Sequence, residues 1–164
     1  MPKIAELTLR MIEFNAGEPG LTHHLLKVHD FSRTIGMLEG LAPDVLMTLE
    51  MAALMHDIGI KPCLEKYGTC NGKQQEEEGP QHARPMLEAV GASPAETERV
   101  CYLIAHHHTY TDIDGIDYQI LVEADFLVNL YEGNQGEDAK RSAYEKLFRT
   151  EAGKRIFQEM YGRL

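Results

Sequence analysis

The chain has 164 residues, enough for one domain with a sizeable buried core, and its 43% hydrophobic and 26% charged content excludes a disordered polymer. Its formal net charge of −10, uninterrupted by any Lys/Arg cluster, repels a phosphodiester backbone and excludes duplex DNA or RNA as the expected partner. Cys63, Cys70 and Cys101 fit neither a zinc ribbon nor a secreted disulfide framework, the first ten residues carry charges at Lys3, Glu6 and Arg10, and the apolar stretch Val45 to Met55 is broken by Glu50. A cytoplasmic protein with no membrane partner is therefore expected.

Helical patterning runs through almost the whole chain. Ile4 to Phe14 reads as a short amphipathic helix ended by the Asn15-Ala16-Gly17 turn. From Leu21 to Glu39, apolar residues recur at Leu21, Leu25, Val28, Ile35 and Leu38, the three-and-four spacing of a helix face, and Gly40 stops the run. Pro43 suits a first helical turn, and Asp44 to Asp57 follows as a nearly all-apolar, central helix.

Gly59 to Gly79 contains four glycines and the run Glu76 to Glu78, and reads as a surface excursion before a helix at Gln81 to Ala89. Ser93-Pro94-Ala95-Glu96 is a capping box that opens a helix to about His107. After a polar loop at Thr109 to Asp117, Tyr118 to Tyr131 is helical and strongly apolar, and shorter helices at Glu137 to Phe148 and Ala152 to Met160 close the chain. No β-alternation is sustained, so the expected fold class is all-α.

The chemistry begins with His56-Asp57, at the end of the apolar helix. An ionised aspartate among apolar groups costs several kcal/mol unless it is paired, bound to metal, or able to cap a neighbouring turn. Asp125 lies in the core-facing stripe of its helix, with Leu121, Val122 and Val128 three and four residues away, and needs a cation: a metal or a buried Arg. His24 stands one turn before Val28 on the second helix, with His23 and His29 close enough to leave the choice of histidine open. Imidazole and carboxylate from three separate helices suit zinc, manganese, iron or nickel, with no cysteine needed.

The ordered set His24-Leu-Leu-Lys-Val28, Met55-His56-Asp57-Ile58-Gly59 and Glu123-Ala124-Asp125-Phe126-Leu127 resembles the HD superfamily of metal-dependent phosphohydrolases, over roughly Leu21 to Leu130. The resemblance implies a single HD domain over residues 1–164 of about six to eight helices, with its motif core at about 21–130 and the C-terminal helices, 137–162, packed on it. It also implies one metal on His24, His56, Asp57 and Asp125, with Asp57 bridging to a second in dinuclear branches of the family. Those branches add two histidine positions. The first falls here on Glu78, with His82 four residues on; the second falls in His106-His107-His108, where offset from Ile104 favours His107 and then His108.

Many members place lysine directly after His-Asp-x-Gly; here Ile60 holds that slot and Lys61 follows it. The Gly-Tyr-Pro signature of the cyclic di-GMP phosphodiesterase branch is absent, its region reading Asp114-Gly115-Ile116-Asp117-Tyr118. The activity so implied is hydrolysis of a small phosphorylated substrate, a nucleotide, by water on one or two divalent Mn, Zn, Fe, Ni or Co ions. Asp57 and Lys61 are the catalytic candidates, and Lys27 and Arg84 the candidate phosphate-binding cations. Two alternatives stay open: a di-iron oxygenase on the same ligand order, and a non-catalytic domain that binds metal or nucleotide. The Met- and aromatic-bearing terminal helices either cap their own core or pair in a homodimer.

Overall fold

A computed structural model of the protein describes residues 2–162, which form nine helices and no strand. In chain order these are α1 (Lys3–Phe14), α2 (Pro19–Leu38), α3 (Pro43–Met55), α4 (Ile60–Tyr67), α5 (Gly72–Ala89), α6 (Pro94–Ile104), α7 (Ile116–Glu132), α8 (Glu137–Leu147) and α9 (Glu151–Tyr161). The all-α expectation holds. No helix among the described residues is long and apolar enough to cross a membrane.

Helix α3 is the axis. Pro43 at its first position and Asp44 in its first turn suit a helix start, where a missing N–H costs nothing and negative charge meets the dipole. Every residue from Thr48 to Met55 is buried, because α1, α2, α5, α6 and α7 all pack against this helix. One continuous core runs from Leu7 and Met11 of α1 through α3 to Leu121, Leu127 and Phe157 of the later helices. Among the terminal helices Tyr144, Phe148 and Phe157 stack together, with 4.9 Å between the two phenylalanine rings, and cap this same core.

The segment expected as a surface excursion is instead helical. Only Gly68 to Asn71 stays outside a helix, between α4 and the early start of α5 at Gly72. Asn71 and Gln74 make a reciprocal capping box, and α5 continues through Pro80 and Pro85, each of which removes one backbone donor without ending the helix. Helix α6 opens with the expected Ser93–Glu96 capping box, but it ends at Ile104, before the three histidines.

Between α3 and α4 the chain makes one tight turn, in which the Ile58 and Ile60 amides donate to the Met55 and Asp57 carbonyls, each at 3.0 Å. Helix α5 crosses directly over this turn. A Cβ on Gly59 would lie 2.8 Å from the Gly79 nitrogen, and one on Gly79 would strike Ile104. Gly59 therefore lets the turn touch the α5 backbone and holds α5 against the His56-Asp57 corner, while Gly79 lets α5 close on Ile104 of α6.

Glu123 on α7 is fully buried and accepts from the backbone amides of Arg149 (2.6 Å) and Thr150 (2.9 Å) and from the Thr150 hydroxyl, fixing the start of α9. A Glu123→Ala substitution leaves these donors unpaired and is expected to cost about 2–3 kcal/mol. Thermal unfolding should show a loss of about 5–10 °C; an unchanged Tm would mean that Glu123 does not clamp α9.

Candidate metal centre

Three histidines, from α2 and from the turns after α3 and α6, turn their Nε2 atoms to the two sides of the Asp57 carboxylate, and in each the opposite nitrogen is already committed. His56 Nδ1–H donates to the Ala53 carbonyl at 2.8 Å, His107 Nδ1–H to the Ile104 carbonyl at 2.7 Å, and His24 Nδ1–H to Glu132 Oε2 at 3.0 Å. Each partner is an acceptor only, so each Nδ1 carries a proton and each Nε2 presents its lone pair inward. These outward bonds come from local geometry: the turn after α3 and the turn after α6 each fold an imidazole back onto the carbonyl three residues earlier.

The inward atoms crowd together. His24 Nε2 and His56 Nε2 are 3.2 Å apart; Asp125 Oδ1 lies 3.1 and 3.4 Å from them, and Asp57 Oδ2 3.3 and 3.5 Å. Two lone pairs at that distance repel unless positive charge lies between them. Ligands about 2.0–2.2 Å from one transition-metal ion are spaced about 3.0–3.5 Å from each other, so the donor set fits such an ion. On its other oxygen, Asp57 Oδ1 meets His107 Nε2 at 3.1 Å and His108 Nε2 at 4.0 Å, a second group of three donors sharing Asp57 with the first.

Electrostatics make the same demand. Burial works against charge on His24, but Asp125, Asp57 and Glu132 outweigh it and raise its pKa to about 9. His56 is raised as well: Asp57 and Asp125 overcome its burial. Asp57 would be pushed up by burial, yet His56 and His107 bring it down to about 2, and His24 and His56 likewise hold Asp125 far below an ordinary carboxylate. His108 moves the other way, lowered by burial and by the adjacent His107. In the absence of metal, protons supply the positive charge that the carboxylates require.

His24, His56, Asp57 and Asp125 thus meet at one place, with His107 and His108 on the far side of Asp57. His106 turns away, stacking on Tyr102 and donating to its carbonyl at 2.7 Å. Glu78 and His82 stand apart from both donor groups. Glu78 pairs with Lys66 at 2.6 Å and accepts from Tyr67, which lowers its pKa, while His82 packs on the Phe14 ring. The family resemblance had implied them beside a second metal; with α5 starting at Gly72, Gln75 and Glu76 lie against His108 instead. Gln75 Oε1 lies 2.6 Å from His108 Nε2, and Glu76 accepts from the His108 amide at 3.1 Å.

The three expected cations are occupied elsewhere. Lys61 Nζ donates to the Phe14 and Ala16 carbonyls, each at 3.1 Å, and ties α4 to the end of α1. Lys27 Nζ pairs with Glu132 at 2.5 Å, and Arg84 with Glu98 on the surface between α5 and α6. Glu132 was not anticipated: it stands at the last position of α7, and only its meeting with His24 across 108 positions marks it.

An all-helical fold with histidines and aspartates gathered on a turn between helices defines a metal-binding helical domain. The chain belongs to the HD domain family, whose profile matches residues 21–148 and whose members are typically metal-dependent hydrolases. No curated protein and no solved structure matches it.

Two measurements test the centre. Glu132→Gln should weaken metal binding about 10- to 100-fold, because the carboxylate that orients His24 and raises its basicity is lost; equal affinity in a competition titration would separate Glu132 from the centre. For metal-free protein, the raised pKa of His24 means that its charge contributes fully below the unfolded value of 6.5. That contribution is lost as pH rises through about 9. Metal-free protein should therefore drop by on the order of 5 °C in Tm across this window, while metal-loaded protein, whose imidazoles are already neutral, should not. Parallel pH profiles would contradict the protonated cluster.

Proposed function

We propose that this protein is a metal-dependent phosphohydrolase that cleaves a phosphate ester of a small molecule, a nucleotide. The observation that carries the reading is the pair of inward lone pairs on His24 and His56, 3.2 Å apart and flanked by the buried carboxylates of Asp57 and Asp125. His24, His56, Asp57 and Asp125 would hold one ion, and Asp57, His107 and His108 a second. The bound metal, one of Mn, Zn, Fe, Ni or Co, acidifies a water and offsets charge on the phosphoryl oxygens.

The remaining work falls to the chain itself. Asp57, ionised at neutral pH and facing both donor groups, accepts a hydrogen bond from the attacking water and orients it. The new bond from water oxygen to phosphorus forms as the ester P–O bond breaks, and the water proton ends on the leaving alcohol. Asn129 Nδ2 donates to Asp125 Oδ1 at 2.8 Å and fixes that carboxylate. Lys61 and Lys27 act as positioning residues, through the α1 end and through Glu132.

Elemental analysis beside a phosphate-ester panel tests this. One or two equivalents of transition metal, with phosphate released from nucleotides, is the expected result. Asp125→Ala should lose metal and activity together, and the double variant His107→Ala/His108→Ala should lose at most one equivalent. Metal with no cleavage of any ester would leave a binding domain, and bound iron with oxygen consumption and no phosphate release would indicate oxygenase chemistry; either overturns the hydrolase reading.

A further inference from the structure

A cleft of about 510 Å³ opens between α8, α7 and the loop after α6, lined by Tyr110, Phe126, Ala139, Ser142, Ala143, Lys146 and Leu147. Its volume lies in the range of small-molecule sites. A smaller hollow of about 210 Å³ adjoins it, sharing Phe126 and Ala139 and adding Asn129. The smaller hollow reaches the metal centre through Asn129, which donates to the Asp125 carboxylate, and the larger cleft joins that hollow at Phe126 and Ala139. Tyr110 comes from the other side, two residues after His108.

Three features of this cleft have no use in the fold. The Tyr110 and Phe126 rings meet edge to face with centroids 5.3 Å apart, yet Tyr110 stays 39% exposed, leaving an aromatic surface turned to the cleft. The Tyr110 hydroxyl has no hydrogen-bond partner among the described residues, and its ring stands on the cleft wall. The third is Lys146. Of the eight lysines, seven hold a carboxylate or a carbonyl: Lys3, Lys27, Lys61, Lys66, Lys73, Lys140 and Lys154. Lys146 alone has no partner for its ammonium group among the described residues, and it stands on the wall of the cleft.

We propose that this cleft receives the organic part of the phosphate ester, and that it selects a planar aromatic or heteroaromatic ring. This rests on the hydrolase reading above. The ring lies on Tyr110 and Phe126, where stacking and edge-to-face contact favour a flat π-system over an open alkyl or sugar group. The small side chains of Ala139, Ser142 and Ala143 give it room, and Lys146 supplies the positive charge that an anionic ester needs on approach to a chain of net charge −10.

Phenyl phosphate and methyl phosphate, which share the reacting group and differ by the ring, provide the probes. Metal-loaded protein is titrated with each by calorimetry, and kcat/KM is measured for each. The ring should be worth about tenfold or more in affinity. Ala139→Phe, which fills the cleft, should bring the phenyl-to-methyl affinity ratio close to one while metal content stays at the wild-type value. Ser142→Leu on the same helix face serves the same purpose should the first variant fold poorly, and Arg84→Ala, remote from the cleft, should leave the ratio unchanged.

A wild-type ratio near one, or a high ratio that survives both cleft-filling variants, overturns the proposal. So would a dimer that the cleft-filling variants dissociate, since the cleft would then be a subunit interface. If neither ester is cleaved but phenyl phosphate still binds in a ring- and cleft-dependent way, the hydrolase reading fails and the ring site stands.

Discussion

Desolvation and like-charge repulsion would drive His24, His56, Asp57, Asp125 and His107 apart, and only positive charge among them keeps the cluster together. The two carboxylates are nearly inaccessible to water, and the imidazole nitrogens facing them are 3.1–3.5 Å away. Protons can provide that charge, but two imidazoliums 3.2 Å apart oppose each other. A divalent ion satisfies both nitrogens and both carboxylates from one point. Such a cluster would bind metal in competition with protons, and its affinity would rise with pH over the range in which His24 gives up its proton.

The scaffold is arranged to present this cluster without loose parts. The His-Asp turn follows a helix that is buried at every residue from Thr48 to Met55, so its two side chains inherit the rigidity of α3. Gly59 and Gly79 bring α5 into backbone contact with the turn, which leaves no room for it to relax outward. Tyr118 donates its hydroxyl to the His106 carbonyl at 2.6 Å, pinning the turn that carries His107 and His108. His24, His56 and His107 are each oriented by a hydrogen bond on the outer ring nitrogen, and Asp125 is held by Asn129, an arrangement that suits a metal site.

How much of this was legible depended on whether the signal was local. Eight helices followed from apolar spacing and from markers such as Pro43 and the Ser93–Glu96 box. The ninth, α4, did not: Ile60 to Tyr67 lies among glycines, and its apolar face is a single buried residue, Cys63. The start of α5 was misplaced because Gly79-Pro80 looks like a boundary, whereas the Asn71–Gln74 box earlier in the chain is the actual one. His24, His56, Asp57 and Asp125 stood out as polar groups on apolar helices. Glu132 and Gln75 did not, since each sits in a polar stretch and is placed only by contacts 108 and 33 positions away.

Lys27, Lys61 and Arg84, expected near a phosphate, each already hold an acceptor of the protein itself. In a chain with 26 acidic and 16 basic residues, most cations find a carboxylate before a substrate can reach them. A lysine close to the site in sequence is then a poor guide to phosphate binding; the informative property is a lysine that lacks a partner. Lys27 and Lys61 instead convert their charge into position, one bracing Glu132 behind His24 and the other locking α4 to α1. Among the lysines, Lys146 on the wall of the aromatic cleft keeps an ammonium group without a partner among the described residues. On a chain of net charge −10, that charge beside the proposed metal centre would favour the approach of an anionic ester through the cleft.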